Sequence, residues 1–178
     1  MNESIDKLRT RSETRGIVAG LRAEGKCVVF TNGCFDLLHA EHVNLLRQAR
    51  AIGDCLVVGL NTDNSVTRLK GPSRPVNPQA DRALVLSAIQ FVDHLVLFDE
   101  ETPCDLIRAV RPDVLVKGGD YTPESVVGRD IVLDYGGEVR ILDTNRTVST
   151  TATIERILDL HWESAARSAS GQPTHKPT

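Results

Sequence analysis

No apolar run in this chain approaches the ~20 residues that a membrane-spanning helix requires, which argues against a membrane segment. Residues 1–15 are polar and lack the apolar stretch of a secretion signal. There is no CxxC pair. Cys27, Cys34, Cys55 and Cys104 are widely spaced, the pattern of free thiols in a reducing cytoplasm and a poor basis for a zinc site. An excess of positive charge is missing too. The formal net charge is −3, so the balance does not suggest a general nucleic-acid binder, and an anionic ligand would need a local concentration of basic groups. No internal repeat is present.

What is there is enough for one ordinary domain with a full core: 178 residues, 40% apolar and 25% charged. Apolar runs of strand length lie at 27–31, 55–61, 94–98, 114–117 and 138–142. They alternate with helical patterns at 42–51, 78–88, 102–110, 125–135 and 150–164. Asn77-Pro78 reads as a cap followed by proline at the first helical position. Leu8, Ile17, Val18 and Leu21 fit an amphipathic N-terminal helix ended by Gly25. The alternation predicts a doubly wound, Rossmann-like α/β fold: a mostly parallel five-stranded sheet with helices on both faces. The predicted organisation is a helical extension over 1–25, a domain over 26–164, and a disordered tail of small polar residues over 165–178.

In such sheets ligands gather beyond the carboxyl ends of the strands. The chemistry-bearing residues here follow strands: 33–42 after the first, Asn61-Thr62-Asp63 after the second, 117–121 after the fourth and 145–151 after the fifth. That placement predicts one nucleotide-sized site.

Its centre is Thr31-Asn32-Gly33-Cys34-Phe35-Asp36-Leu37-Leu38-His39-Ala40-Glu41-His42. A glycine turn between strand and helix points backbone N–H groups at an anion, and His39 and His42 add donors that can follow developing charge. Paired histidines also ligate metals, with Glu41 or Asp36 as a third ligand. The stretch from Arg68 to Pro78 is basic and conformationally restricted. It reads either as a solvated linker or as a phosphate clamp, with Lys70 a point cation and Arg74 or Arg82 gripping oxygens in a bidentate way. Lys117-Gly118-Gly119-Asp120-Tyr121 lets a flat base or a phosphate approach the backbone. Ser149-Thr150-Thr151, after Asn145 and Arg146, caps a helix or forms an anion site. Trp162 reads as a packing or interface residue.

The 31–42 segment resembles the TxGxFDxxHxGH motif of the cytidylyltransferase-like nucleotidyltransferases. With Arg68-Leu69-Lys70-Gly71-Pro72, Arg74-Pro75-Val76-Asn77-Pro78, Val114-Leu115-Val116-Lys117-Gly118-Gly119-Asp120-Tyr121 and Ser149-Thr150-Thr151, the resemblance covers residues 21–158. It is closest to the heptose 1-phosphate adenylyltransferase (ADP-heptose synthase) domain.

That resemblance implies attack by a sugar-phosphate oxygen on the α-phosphorus of ATP, giving ADP-heptose and pyrophosphate. It implies His39, His42, Lys70 and Arg82 as catalytic, and Thr31, Asn32, Gly33, Cys34, Phe35, Asp36, Lys117, Gly118, Gly119, Asp120, Ser149, Thr150 and Thr151 as nucleotide-binding. Asn61, Asp63, Arg74 and Tyr121 would bind the acceptor. Mg²⁺ would bridge phosphates, with no metal ligand expected from protein side chains. A cytoplasmic homodimer is expected, with a nucleoside triphosphate and a sugar phosphate as partners and neither nucleic acid nor membrane. No sugar-kinase segment accompanies the motifs, so prior phosphorylation is expected of a separate protein. The rival enzyme is a cytidylyltransferase acting on glycerol 3-phosphate or another phosphorylated alcohol.

Two positions depart from the family pattern. Thr147-Val148 stands where many relatives have Gly-Ile, a mild change. Glu41 stands where the family has glycine. At ~4 Å and an effective dielectric of ~20, like charges cost about 4 kcal/mol, which makes a catalytically weak nucleotide-binding protein the third reading.

Overall fold

Strands covered on both faces account for the near-continuous apolar runs. The computed structural model describes residues 7–119, 121–143 and 149–169, with side chains through residue 162. The elements in chain order are β1 (Leu8–Arg9), α1 (Arg11–Ala23), β2 (Val28–Gly33), α2 (Ala40–Arg50), β3 (Cys55–Asn61), α3 (Asp63–Lys70) and α4 (Gln79–Ser87). They continue with β4 (His94–Phe98), α5 (Cys104–Val110), β5 (Val114–Gly118), α6 (Arg129–Asp134), β6 (Glu138–Leu142) and α7 (Thr150–Ala169). A 3-10 turn at Pro123–Ser125 precedes α6.

The six strands make one sheet in the order β1-β4-β3-β2-β5-β6, every pair parallel. Side chains alternate between two cores, as the strand period of two requires. Val28 and Phe30 of β2, Val57 of β3 and Leu115 of β5 pack on one face with Val18 of α1, Leu106 and Ile107 of α5 and Val132 of α6. Val29, Leu56, Val58, Leu60 and Val116 face the other way, onto Leu46 and Ala49 of α2 and Ala83 and Leu86 of α4. The chain order reverses at β2, which pairs with β3 on one side and β5 on the other. This reversal opens a crevice at their carboxyl ends.

Several boundaries move. Leu8 leaves the expected helix and pairs with Leu95 as a sixth, edge strand. The helix starts at Arg11, where Thr10 and Glu13 form a reciprocal capping box. Residues 7–25 are therefore part of the fold, since β1 joins the sheet and α1 buries Val18 in the core. Residues 63–70 form α3, which takes in Asp63 of the expected strand exit and 68–70 of the expected loop, and is entered where the Thr62 side chain accepts from Ser65 N. The α4 cap is Pro78 rather than Asn77. α7 continues past Ser164 to Ala169, so helix replaces the first part of the expected disordered tail. Residues 170–178 lie outside the described residues. No helix among the described residues is long and apolar enough to cross a membrane.

Candidate active site

The turn out of β2 is made by Phe35, whose φ is +44°. A bulky residue rarely adopts that region, and such backbone clusters at functional sites. Gly33 serves it by omission: a Cβ there would stand 3.2 Å from the Phe35 ring. The buried Phe35 ring lies tilted against His42 at 5.1 Å between centroids. His42 in turn stacks on His39 at 3.8 Å, and His42 Nδ1 accepts from the His39 backbone N–H at 3.4 Å. His39 is the N-cap of α2, so the pair stands at the positive end of that helix. Burial, then the neighbouring His39, pushes the His42 imidazole down to about 4. Burial also lowers His39, against the pull of Glu41. Both rings are neutral donors at pH 7, and Nδ1 of His39 is buried without a hydrogen-bond partner.

Lys117 reaches from β5 to the end of β2, donating from Nζ to Asn32 Oδ1 at 2.5 Å and to Asn32 O at 3.2 Å. Both acceptors are neutral. Burial pushes the ammonium down to about 8, with a small opposing pull from the Cys34 thiol. The Thr31 side chain is wholly buried, and its hydroxyl has no partner.

Other expected site residues support the site from beneath. Asp36 is a buried anchor: it accepts from Arg74 Nε at 2.5 Å, Val76 N at 2.8 Å and Asn77 N at 2.9 Å. Asn77 Nδ2 returns a bond to Asp36 O at 2.9 Å. The Asp36 carboxylate is thus taken up by the loop before α4, and Arg74 gives its Nε to Asp36.

Arg82 is committed in the same way. Its side chain is 0% exposed and donates to Asn77 O, Cys34 O, Asn61 O and Asp63 Oδ1 at 2.6 to 3.0 Å. It ties the exits of β2 and β3 to the loop before α4. Asn61 likewise donates to Ser65 Oγ at 2.9 Å, and the Asp63 carboxylate is taken by Arg82. Sequence reasoning missed Val76, Asn77 and Ser65 as supports; Asn77 was legible only as a helix cap.

Lys70, at the end of α3, is exposed and makes no hydrogen bond or ion pair among the described residues, though its charge reaches the Cys34 thiol. Gly118 ends β5, and Gly119 N donates to Leu142 O at 3.2 Å. Ser149 Oγ accepts from Ala152 N at 3.1 Å, capping α7, and Thr150 Oγ1 reaches Leu37 O at 3.5 Å. The α7 start thus abuts the loop between β2 and α2. Thr151 is exposed, and Tyr121 is 50% exposed. Asp120 and 144–148, which include Asn145 and Arg146, lie outside the described residues. All four cysteines are free thiols, and no group of three or more His, Cys, Asp and Glu side chains among the described residues could hold a metal ion.

Residues 30–156 match the family described as Cytidylyltransferase-like. Bifunctional protein HldE of Syntrophotalea carbinolica is 56% identical over 157 residues, covering 88% of this chain and 32% of that protein. Bifunctional protein HldE of Caulobacter vibrioides is 57% identical over 151 residues, 85% of this chain and 31% of that protein. The chain spans about a third of the length of the curated relatives it matches. Among solved structures, the lipopolysaccharide core biosynthesis protein from Thermoplasma volcanium superposes with a TM-score of 0.56 at 26% identity, covering 70% of this chain and all of that one. Pantoate-beta-alanine ligase from Francisella tularensis superposes with a TM-score of 0.55 over 79% of this chain and 67% of that one. At 13% identity that likeness is one of fold.

Proposed function

This chain belongs to the Cytidylyltransferase-like family, and from that membership we propose that it transfers AMP from ATP to a heptose 1-phosphate, releasing pyrophosphate and forming ADP-heptose. The observation that carries the reading is the stacked, neutral His39–His42 pair at the start of α2, beside a strand end where Lys117 meets only neutral acceptors. Such a site offers hydrogen-bond donors and one unpaired cation to a polyphosphate. The branch of the family rests on the Leu-Lys-Gly-Pro and Val-Lys-Gly-Gly-Asp-Tyr segments, and a structural relative named for lipopolysaccharide core biosynthesis is consistent with an activated sugar.

In this reading little covalent chemistry falls to the protein, and positioning and electrostatics carry the rate. His39 and His42 donate to the triphosphate as charge builds around the α-phosphorus. Lys117 and Lys70 supply positive charge along the phosphates, and the Ser149-Thr150 helix start receives the β- or γ-phosphate. Gly118 and Gly119 let the nucleotide approach the backbone, and Tyr121 contacts the acceptor. Arg82, Asp36 and Arg74 hold the loops in place. Mg²⁺ accompanies the triphosphate and neutralises part of its charge. The protein works in the cytoplasm as a homodimer, with the exposed apolar side chains of α7, Ile157, Leu158 and Trp162, at the interface.

Pyrophosphate release, assayed with ATP and CTP against sugar 1-phosphates and glycerol 3-phosphate, tests the reading. Turnover with ATP and a heptose 1-phosphate is expected. Turnover confined to CTP and a polyol phosphate would overturn it.

A further inference from the structure

Two buried polar atoms at the start of α2 have no hydrogen-bond partner: Oε2 of Glu41 and Nδ1 of His39. An acid in the first turn of a helix is ordinarily explained by the helix dipole, being either exposed or bonded to free backbone N–H groups. Glu41 Oε2 is neither. A buried carboxylate oxygen left without a donor is costly, and native structures leave such groups for a reason.

What could satisfy it is narrow. Phosphate oxygens are themselves anionic acceptors and would repel a carboxylate at this helix end. The group that meets Glu41 must therefore be a cation or a hydroxyl donor. The charged lysines do not supply it, since Lys117 is bonded to Asn32 and Lys70 has no ion pair among the described residues. A single carboxylate completed by substrate phosphates and water is the usual way a protein holds magnesium, which needs no cage of protein ligands.

We propose that Glu41 is a carboxylate ligand, direct or through a bound water, of the divalent cation that travels with the triphosphate. The proposal rests on the nucleotidyltransferase reading above. It makes this site depend on the metal for binding as well as for rate, since an uncomplexed triphosphate meets Glu41 as a like charge. The Glu41 carboxylate then discriminates between metal-complexed and free nucleotide.

Calorimetry of a non-hydrolysable ATP analogue, with Mg²⁺ and with EDTA, tests this on the wild type and on Glu41→Gln and Glu41→Gly. The wild type should bind the Mg²⁺ complex at least tenfold more tightly than the free analogue. In both variants metal-free affinity should rise and the metal-dependent gain should shrink by at least tenfold. Mn²⁺ in place of Mg²⁺ should give an electron paramagnetic resonance spectrum of the ternary complex that changes in Glu41→Gln. An unchanged metal dependence and an unchanged Mn²⁺ spectrum would overturn the proposal while leaving the nucleotidyltransferase reading intact. Unchanged nucleotide binding with weakened sugar-phosphate binding would overturn it too, assigning Glu41 to a substrate hydroxyl. No nucleotide binding by the wild type under either condition would contradict the nucleotidyltransferase reading itself, and the proposal with it.

Discussion

The carboxylate of Asp36 and the guanidinium of Arg74 meet at 2.5 Å with the Asp36 side chain 1% exposed, so the loop before α4 is pinned to the turn out of β2 by a buried ion pair. Removing one partner leaves Arg74 and the Val76 and Asn77 amides unmatched, which for a buried pair costs about 3–5 kcal/mol. Burial alone would raise the Asp36 carboxyl, but the Asn77 and Val76 N–H groups and Arg74 outweigh it and hold it below its ordinary value. A carboxyl lowered in this way contributes fully above its unfolded pKa of ~3.9 and loses that contribution as pH falls through the folded value. Asp36→Asn should therefore lower the urea midpoint at pH 7 and flatten the acid limb of stability below about pH 4. Equal midpoints for both proteins would show that the pair is not structural.

Arg82 holds together the loops around the candidate site. Arg82→Ala should destabilise the fold by about 3–5 kcal/mol, measured by urea unfolding, because four acceptors lose a buried donor. Arg82→Lys should recover part of that stability. A variant of full stability and no activity would give Arg82 a direct role in chemistry.

Replacing His39 with alanine should lower kcat by ~10²–10³, the usual cost of one donor aimed at developing negative charge. KM for ATP should change far less, since the contact strengthens in the transition state. A small effect on kcat would remove His39 from the mechanism.

Lys117 should set an alkaline limit on activity. With its ammonium pushed down to about 8, the cation is lost as pH rises through that value, and kcat/KM should fall. Stability should move the opposite way. The unfolded lysine, with a pKa of ~10.4, binds more protons than the folded one across that window, so folding gains as pH rises from about 8. Lys117→Met should weaken nucleotide binding and abolish both trends. An alkaline limb that survives in Lys117→Met would place the titrating group elsewhere.

The exposed apolar side of α7 predicts self-association. Ile157, Leu158 and Trp162 are 57%, 61% and 78% exposed. Sedimentation equilibrium should find the wild type dimeric and Leu158→Glu monomeric. A monomeric wild type would contradict the interface.

Much of the fold was legible because parallel strands buried on both faces leave unbroken apolar runs. The bounds of β3, β4 and β6 read from sequence agree with the structure. β1 was not legible, because two residues carry no pattern and exist as a strand only through Leu95 and Val96, far along the chain. α3 was hidden by its basic end and by the Gly-Pro that follows, although Thr62 signalled its start. Residue chemistry pointed to a candidate site, but not to who holds whom. Arg74 and Arg82 carry the charge of phosphate handlers, and Asp36 that of a metal ligand. Only tertiary pairing across tens of residues shows their charged groups committed to one another and to backbone carbonyls.

Label carried on the α-phosphorus of ATP tests the central claim most directly. Incubated with the protein and a heptose 1-phosphate, the label should appear in a sugar-linked diphosphate, while the β- and γ-phosphorus leave together as pyrophosphate. Label that stays in ATP, or that moves only from CTP to glycerol 3-phosphate, would contradict the account.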